Sequence, residues 1–186
     1  MSEHDHNEPL YTSLFCEENI WHLTRRMLEL GVASDSLSVL FFSNPDKQVV
    51  MFNQRRAGEQ GYVVWDYHVV LQAGELIYDL DTTLPFPVAA LDYFIASFPD
   101  QVVLEEQYRG WVRRIPALSF VENLYTDRSH MQGVISEEEF PSWPSITPVH
   151  QQAILLSEYW DMLRSLADDS EVMSVAEYQQ RLESEQ

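Results

Sequence analysis

The amino-acid sequence predicts an α+β domain in which a mainly antiparallel sheet is flanked by helices. Three features carry that prediction. Short runs rich in β-branched and aromatic residues recur between turn residues, as in "SVLFF", "QVVMF" and "YVVWDYHVVL". Helical periodicity marks other stretches, first among them "CEENIWHLTRRMLEL". The 186 residues, 45% of them apolar, suffice for one domain with its own core and are too apolar for a disordered chain.

Residues 1–11 are acidic and polar and are expected to form a flexible tail, leaving 12–186 as a single domain. A helix follows with Ser13 as N-cap. Ile20, Leu23, Met27 and Leu30 share one face, Glu17 and Glu18 lie in the first turns, Arg25 and Arg26 lie late, and Gly31 closes the end. Residues 38–42 and 48–52 read as strands around "SNPDK", and 62–71 and 75–81 as two more. "LPFP" ends the last of these, because proline cannot continue a ladder. Residues 88–98 read as a helix stopped by Pro99, and 108–115 as a strand. Residues 132–148, with Pro141, Pro144 and Pro148, read as a long loop. Helices are expected over 149–166 and 173–183.

Charge narrows the function classes. Eleven basic against 30 acidic residues give a net −19, which repels nucleic-acid phosphates and anionic membrane surfaces. No apolar run approaches the ~20 residues of a bilayer span, and the acidic start is wrong for a signal peptide. The single cysteine, Cys16, excludes an internal disulfide and a CxxC zinc knuckle, which suits a reducing, cytoplasmic setting.

The stretch "VVWDYHVVLQAGELIYDLD" (63–81) carries a testable register. A two-residue loop at Ala73-Gly74 places His68 opposite Asp79 and Asp66 opposite Asp81, with Cβ atoms about 4.5–5.5 Å apart. Asp66, His68, Asp79 and Asp81 then share one face, and Trp65, Tyr67, Val69, Leu71, Leu76, Tyr78 and Leu80 the other, which should be core. A three-residue loop with a glycine bulge moves the register by one. His68 with two aspartates also admits a metal reading, although no second histidine lies nearby in sequence.

Cys16 falls in the first turn of its helix, where backbone N–H groups and the helix dipole lower a thiol pKa. The polar neighbours Glu17, Glu18 and Asn19 suggest an accessible helix end, whereas an apolar setting makes a free cysteine an ordinary core residue. With His68 and Asp79 it completes a nucleophile–base–orienter set in the order Cys, His, Asp. Cysteine at a helix start with His and Asp on adjacent strands is the papain and transglutaminase arrangement.

The segments "CEENIW" (16–21), "WDYHVVL" (65–71), "IYDLDTTLPFP" (77–87) and "DRSHM" (127–131) resemble the protein N-terminal glutamine amidohydrolase family, as do "PSWPSI" (141–146) and "VMSVAEYQQRL" (172–182). The resemblance covers nearly the whole chain after its first dozen residues. It implies a transglutaminase-like α+β catalytic domain, no cofactor and no metal, and conversion of an N-terminal glutamine of a protein or peptide to glutamate with release of ammonia. It also implies a monomer, with Cys16, His68 and Asp79 as the catalytic residues. The "QAGE" loop and the segment between "DRSHM" and "PSWPSI" are shorter than the family's pattern. A free α-amino group calls for a carboxylate, and Asp66, Asp81, Glu17 and Glu18 are the candidates, with Asp66 and Asp81 best placed by strand parity. Arg128 of "DRSHM" is expected to pair with a carboxylate near the site. Rival readings are a cysteine protease, a deamidase of internal glutamines, and a non-catalytic module that recognises N-terminal glutamine.

Overall fold

The computed structural model describes residues 9–149 and 153–185. Its centre is a six-stranded antiparallel sheet in the order β10-β7-β1-β4-β5-β6. These strands are β1 (Leu37–Ser43), β4 (His68–Ala73), β5 (Leu76–Tyr78), β6 (Val88–Ala89), β7 (Trp111–Pro116) and β10 (Glu171–Ser174). Beside it lie a two-stranded pair, β2 (Val49–Phe52) with β3 (Tyr62–Trp65), and a short parallel pair, β8 (Leu124–Tyr125) with β9 (Ile154–Leu155). The helices are α1 (Cys16–Glu29), α2 (Ala90–Ser97), α3 (Ala117–Asn123), α4 (Leu156–Tyr159) and α5 (Val175–Ser184).

Both faces of the sheet are covered, so all seven residues of β1 and the run His68–Leu71 are buried. One core joins Val39, Phe41, Val69 and Leu71 to Ile20 and Trp21 of α1 and Phe120 of α3. The other joins Leu40, Phe42, Val70 and Ile77 to Tyr93 and Phe94 of α2 and Tyr178 of α5. The face expected to be polar is therefore core as well, and the catalytic candidates on it are enclosed rather than surface residues. Among the described residues no helix is long and apolar enough to cross a membrane.

Several sequence expectations change. Residues 62–71 form two strands in different sheets, β3 and β4, separated at Asp66-Tyr67. The β4–β5 register pairs Ala73 with Leu76, Gln72 with Ile77 and Leu71 with Tyr78. The loop is therefore Gly74-Glu75, with Gly74 (φ 56°) at the first central position, the place a type II′ turn reserves for glycine. The loop moves by one residue and each cross-strand partner by two, so face parity survives while the expected pairing of His68 directly opposite Asp79 does not. The paired ladder stops at Tyr78, short of Asp79.

The helix expected over 149–166 does not form in its described part. Beyond the single turn of α4, the guanidinium of buried Arg113 takes the carbonyls of Tyr159, Asp161 and Arg164 at 2.7–2.9 Å, so tertiary bonds replace helical ones. The last helix begins later than expected, at Val175, behind the strand β10. A reciprocal Ser174–Glu177 capping box sets that start. Helix α1 begins without a side-chain cap. Instead of Ser13 acting there, Asn19 clasps both backbone groups of Thr12 at 2.8 Å. Gly31 (φ 86°) ends α1 in a Schellman arrangement, Val32 N–H bonding the Met27 carbonyl and Gly31 N–H that of Leu28.

Candidate active site

Three chain segments meet at the site: the first turn of α1, the start of β4 and the residues just after β5. His68 Nε2 lies 3.0 Å from Asp79 Oδ1, and both side chains are buried. Asp79 is held from all sides. Its Oδ1 also accepts the Asp81 N–H at 2.8 Å, while Oδ2 accepts Gln54 Nε2 at 3.0 Å and the Tyr93 hydroxyl at 2.8 Å. Burial opposes the Asp79 charge, but His68, Gln54 and the Asp81 amide together hold the carboxyl below its usual range. Burial likewise opposes the His68 cation, and the Asp79 charge and hydrogen bond outweigh it, so the imidazole is raised. Asp79 thus stabilises the imidazolium that forms when His68 takes up a proton, with Nδ1 as the ring nitrogen turned away from Asp79. The indole of Trp65 stacks on the imidazole at 5.5 Å and 13°.

His68, Asp79 and Asp81 bring ligand-type atoms within 4.8 Å of one another, the geometry behind the metal reading. A cation there would have to displace donors already saturating both oxygens of Asp79. The donor set serves an orienting carboxylate better than a ligand.

Cys16 is 9% exposed and packs in the core on the α1 side of the sheet. The backbone N–H of Val69, the residue after His68, favours the sulfur's anion. Burial, then the charges of Glu17 and Asp81, outweigh it and push the thiol well above its usual pKa. The expectation of a thiol acidified by the helix start is corrected accordingly: the turn is buried, so desolvation exceeds the dipole. The resting group is a neutral thiol that needs a base.

The polar residues after Cys16 are enclosed, not accessible as their polarity suggested, and each has a partner. Glu18, fully buried, accepts Arg128 Nε (2.8 Å) and the Thr126 hydroxyl (3.0 Å) on Oε1, and Arg128 Nη2 and Trp143 Nε1 (both 2.7 Å) on Oε2. This is the expected pairing of Arg128, and it leaves Glu18 no capacity for an incoming ammonium. Glu17 Oε2 accepts the Tyr67 hydroxyl at 3.0 Å and lies 3.9 Å from the thiol. Its Oε1 is buried without a partner among the described residues. Asp66 is exposed, and its charge is felt at Cys16 and His130. Asp81 is buried beside His68 and accepts the Tyr11 hydroxyl at 2.6 Å. Tyr11, grouped with the tail by sequence, is thereby tied to the site. Residues 1–8 of that expected tail lie outside the described residues.

Burial dominates at Glu17 and lifts its carboxyl from the ordinary 4.5 to about 8, with the Glu18 charge adding to it against the bonds of Glu17's own N–H, Tyr67 and the thiol. A carboxyl that holds its proton more tightly when folded stabilises the fold at low pH and loses that contribution as pH rises from 4.5 through about 8. Glu17→Gln is therefore expected to gain stability relative to the wild type across that window. Thermal denaturation at stepped pH should show a Tm difference that grows with pH. A constant difference would mean that Glu17 ionises in its ordinary range.

Sequence reasoning named His68, Asp79 and Cys16 as candidates and did not name Gln54, Tyr93, Tyr67 and Tyr11, which bond to Asp79, Glu17 and Asp81 around them. The single signal for Tyr93 is a hydroxyl on an otherwise apolar helix face. Gln54 sits in a loop that bridges to Thr82, far from it in sequence.

A cysteine at a helix start, packed against the strand that carries a buried imidazole–carboxylate pair, brings together the residue types that amidohydrolases use. The N-terminal glutamine amidase model matches residues 11–182, and the chain belongs to that family. Relatives named protein N-terminal glutamine amidohydrolase are 34% identical over 132 residues in Danio rerio (68% of this chain, 65% of that protein). In Bos taurus the figures are 37% over 145 residues (74% and 70%), and in Arabidopsis thaliana 34% over 167 residues (80% and 73%). The match therefore spans just under two thirds of the Danio rerio relative's length.

Proposed function

We propose that this chain hydrolyses the side-chain amide of an N-terminal glutamine in proteins or peptides, giving glutamate and ammonia. It does so as a cytoplasmic monomer on a transglutaminase- or papain-like core, without a cofactor and without a nucleic-acid or membrane partner. The observation that carries the reading is the buried His68–Asp79 pair at 3.0 Å in a chain of this family, with Cys16 packed in the same core cluster as Val69, the residue after His68.

His68 takes the proton of Cys16, and Asp79 holds the ring and stabilises its cation. The sulfur adds to the glutamine carboxamide carbon, while backbone N–H groups at the start of α1 steady the oxyanion. As the C–N bond breaks, the imidazolium gives its proton to the leaving nitrogen, and ammonia departs from a thioester. Water, deprotonated by His68, adds to the thioester, and the thiol leaves with the proton restored and glutamate formed. Exposed Asp66 and buried Asp81 are the carboxylates available to the substrate's α-ammonium, Glu18 being fully engaged.

Peptides starting with Gln, the same peptides acetylated, and peptides with internal Gln test the reading by ammonia release and mass spectrometry. Turnover of the free Gln-initiated set alone, with the mass of amide-to-acid conversion and an intact chain, is expected. Cleaved chains would make the protein a protease, and silence with every Gln-initiated peptide would remove the assignment. Cys16→Ser is expected to abolish turnover with the fold unchanged.

A further inference from the structure

A cleft of about 300 Å³ opens between the segments 125–130 and 155–160, with Tyr125, Asp127, His130, Leu155, Leu156 and Trp160 among its walls. None of these residues has a role in the reaction above, yet the cleft abuts the site. Cys16 Sγ lies 3.9 Å from Glu17 Oε2, which accepts the Tyr67 hydroxyl at 3.0 Å, and that hydroxyl lies 3.3 Å from His130 Nε2. Trp160 packs on the Tyr67 ring at 4.6 Å and on His130 at 5.8 Å. The cleft walls are thus the outer side of the residue whose inner end reaches the thiol's neighbour.

An extended peptide advances about 3.3–3.6 Å per residue and alternates its side chains. The contacts from the sulfur through Glu17 and Tyr67 to His130 at the cleft wall span at most about 10 Å, a distance that the second residue with its side chain can cover when the first is held at the thiol. We propose that the cleft receives the side chain of the substrate's second residue and favours a bulky apolar one. The proposal rests on the reaction put forward above. Trp160, Leu155 and Leu156 supply the apolar walls, and Leu155 is 44% exposed, so apolar area remains there for a ligand to cover. The ammonium of Lys47 lies over the Trp160 ring at 5.6 Å. Burial keeps His130 below its usual pKa, so the imidazole presents a neutral wall.

Competing Gln-Leu, Gln-Phe and Gln-Gly peptides test it. The first two should exceed the third in kcat/KM by about tenfold or more, the scale on which apolar pockets discriminate. Ser157→Trp, which fills the cleft from its exposed wall, should bring that ratio close to one. Equal rates in the wild type, or a ratio that Ser157→Trp leaves unchanged, would overturn the proposal. The same peptides titrated against Cys16→Ala, read by tryptophan fluorescence, separate the two readings. Leu-over-Gly affinity without turnover in the wild type would keep the cleft and sink the reaction. Turnover without any affinity difference would sink the cleft and keep the reaction, and failure of every peptide to bind would sink both.

Discussion

Asp79→Asn is expected to lower kcat by about 10²–10⁴-fold, the range that a positioned acid–base group contributes, with little change in Tm. The geometry says why the fold should survive. If the new amide nitrogen takes the place of Oδ2, it meets Gln54 and Tyr93. Gln54 has a buried Oε1 without a partner among the described residues, which an amide flip turns toward the new donor, and a tyrosine hydroxyl accepts as well as donates. The remaining oxygen still accepts from His68 and from the Asp81 N–H, so the ring keeps its orientation. What is lost is the charge that stabilises the imidazolium, and the rate falls for that reason. The measurement is kcat on a Gln-initiated peptide beside a melting curve. An unchanged rate would transfer the orienting role to Asp81, whose carboxylate lies within the same 4.8 Å cluster.

The His68–Asp79 contact was legible because it is local. The two lie eleven positions apart, and a hairpin with a glycine turn puts them on one face near its open end whichever of the two loops is chosen, although only the expected loop sets them directly opposite. The sheet with flanking helices was legible from the same alternation. The setting of the cysteine was not. Glu17, Glu18 and Asn19 read as a solvated helix end, because polar residues are mostly exposed. Here each is enclosed by partners from elsewhere, Glu18 by Thr126, Arg128 and Trp143, which lie 108 to 125 residues away. Side-chain polarity announces that partners are needed and does not say whether they are water or protein. The same blindness hid β10 (Glu171–Ser174), whose last two residues were read as the start of the helix behind them. It also hid the loss of helix after Tyr159, where the deciding group is the guanidinium of Arg113 on another strand.

Arg128→Ala is the substitution expected to cost most in stability, about 3–5 kcal/mol, because it strands a buried carboxylate. Glu18 would keep Thr126 and Trp143 as donors and lose the two charged ones at 2.7 and 2.8 Å. The guanidinium also bonds the Trp143 carbonyl at 2.8 Å, so three separate stretches, "CEENIW", "DRSHM" and "PSWPSI", lose their common tie. Arg128 itself holds a left-handed backbone (φ 58°), a conformation that a non-glycine residue keeps only when its surroundings enforce it. In a domain of this size each kcal/mol is worth about 2–4 °C, so a fall in Tm of about 10 °C is expected. Arg25→Ala is the control: its pair with Glu29 is exposed on both sides and is worth under about 1 kcal/mol. A lysine at 128 should not restore the loss, since a single ammonium cannot span both oxygens of Glu18 as the fork does. Adding Glu18→Gln to Arg128→Ala should recover part of it by removing the stranded charge. Recovery would locate the penalty in that charge; none would locate it in lost packing, and equal losses for Arg128→Ala and Arg25→Ala would mean that the ion pair does not anchor the helix that carries Cys16.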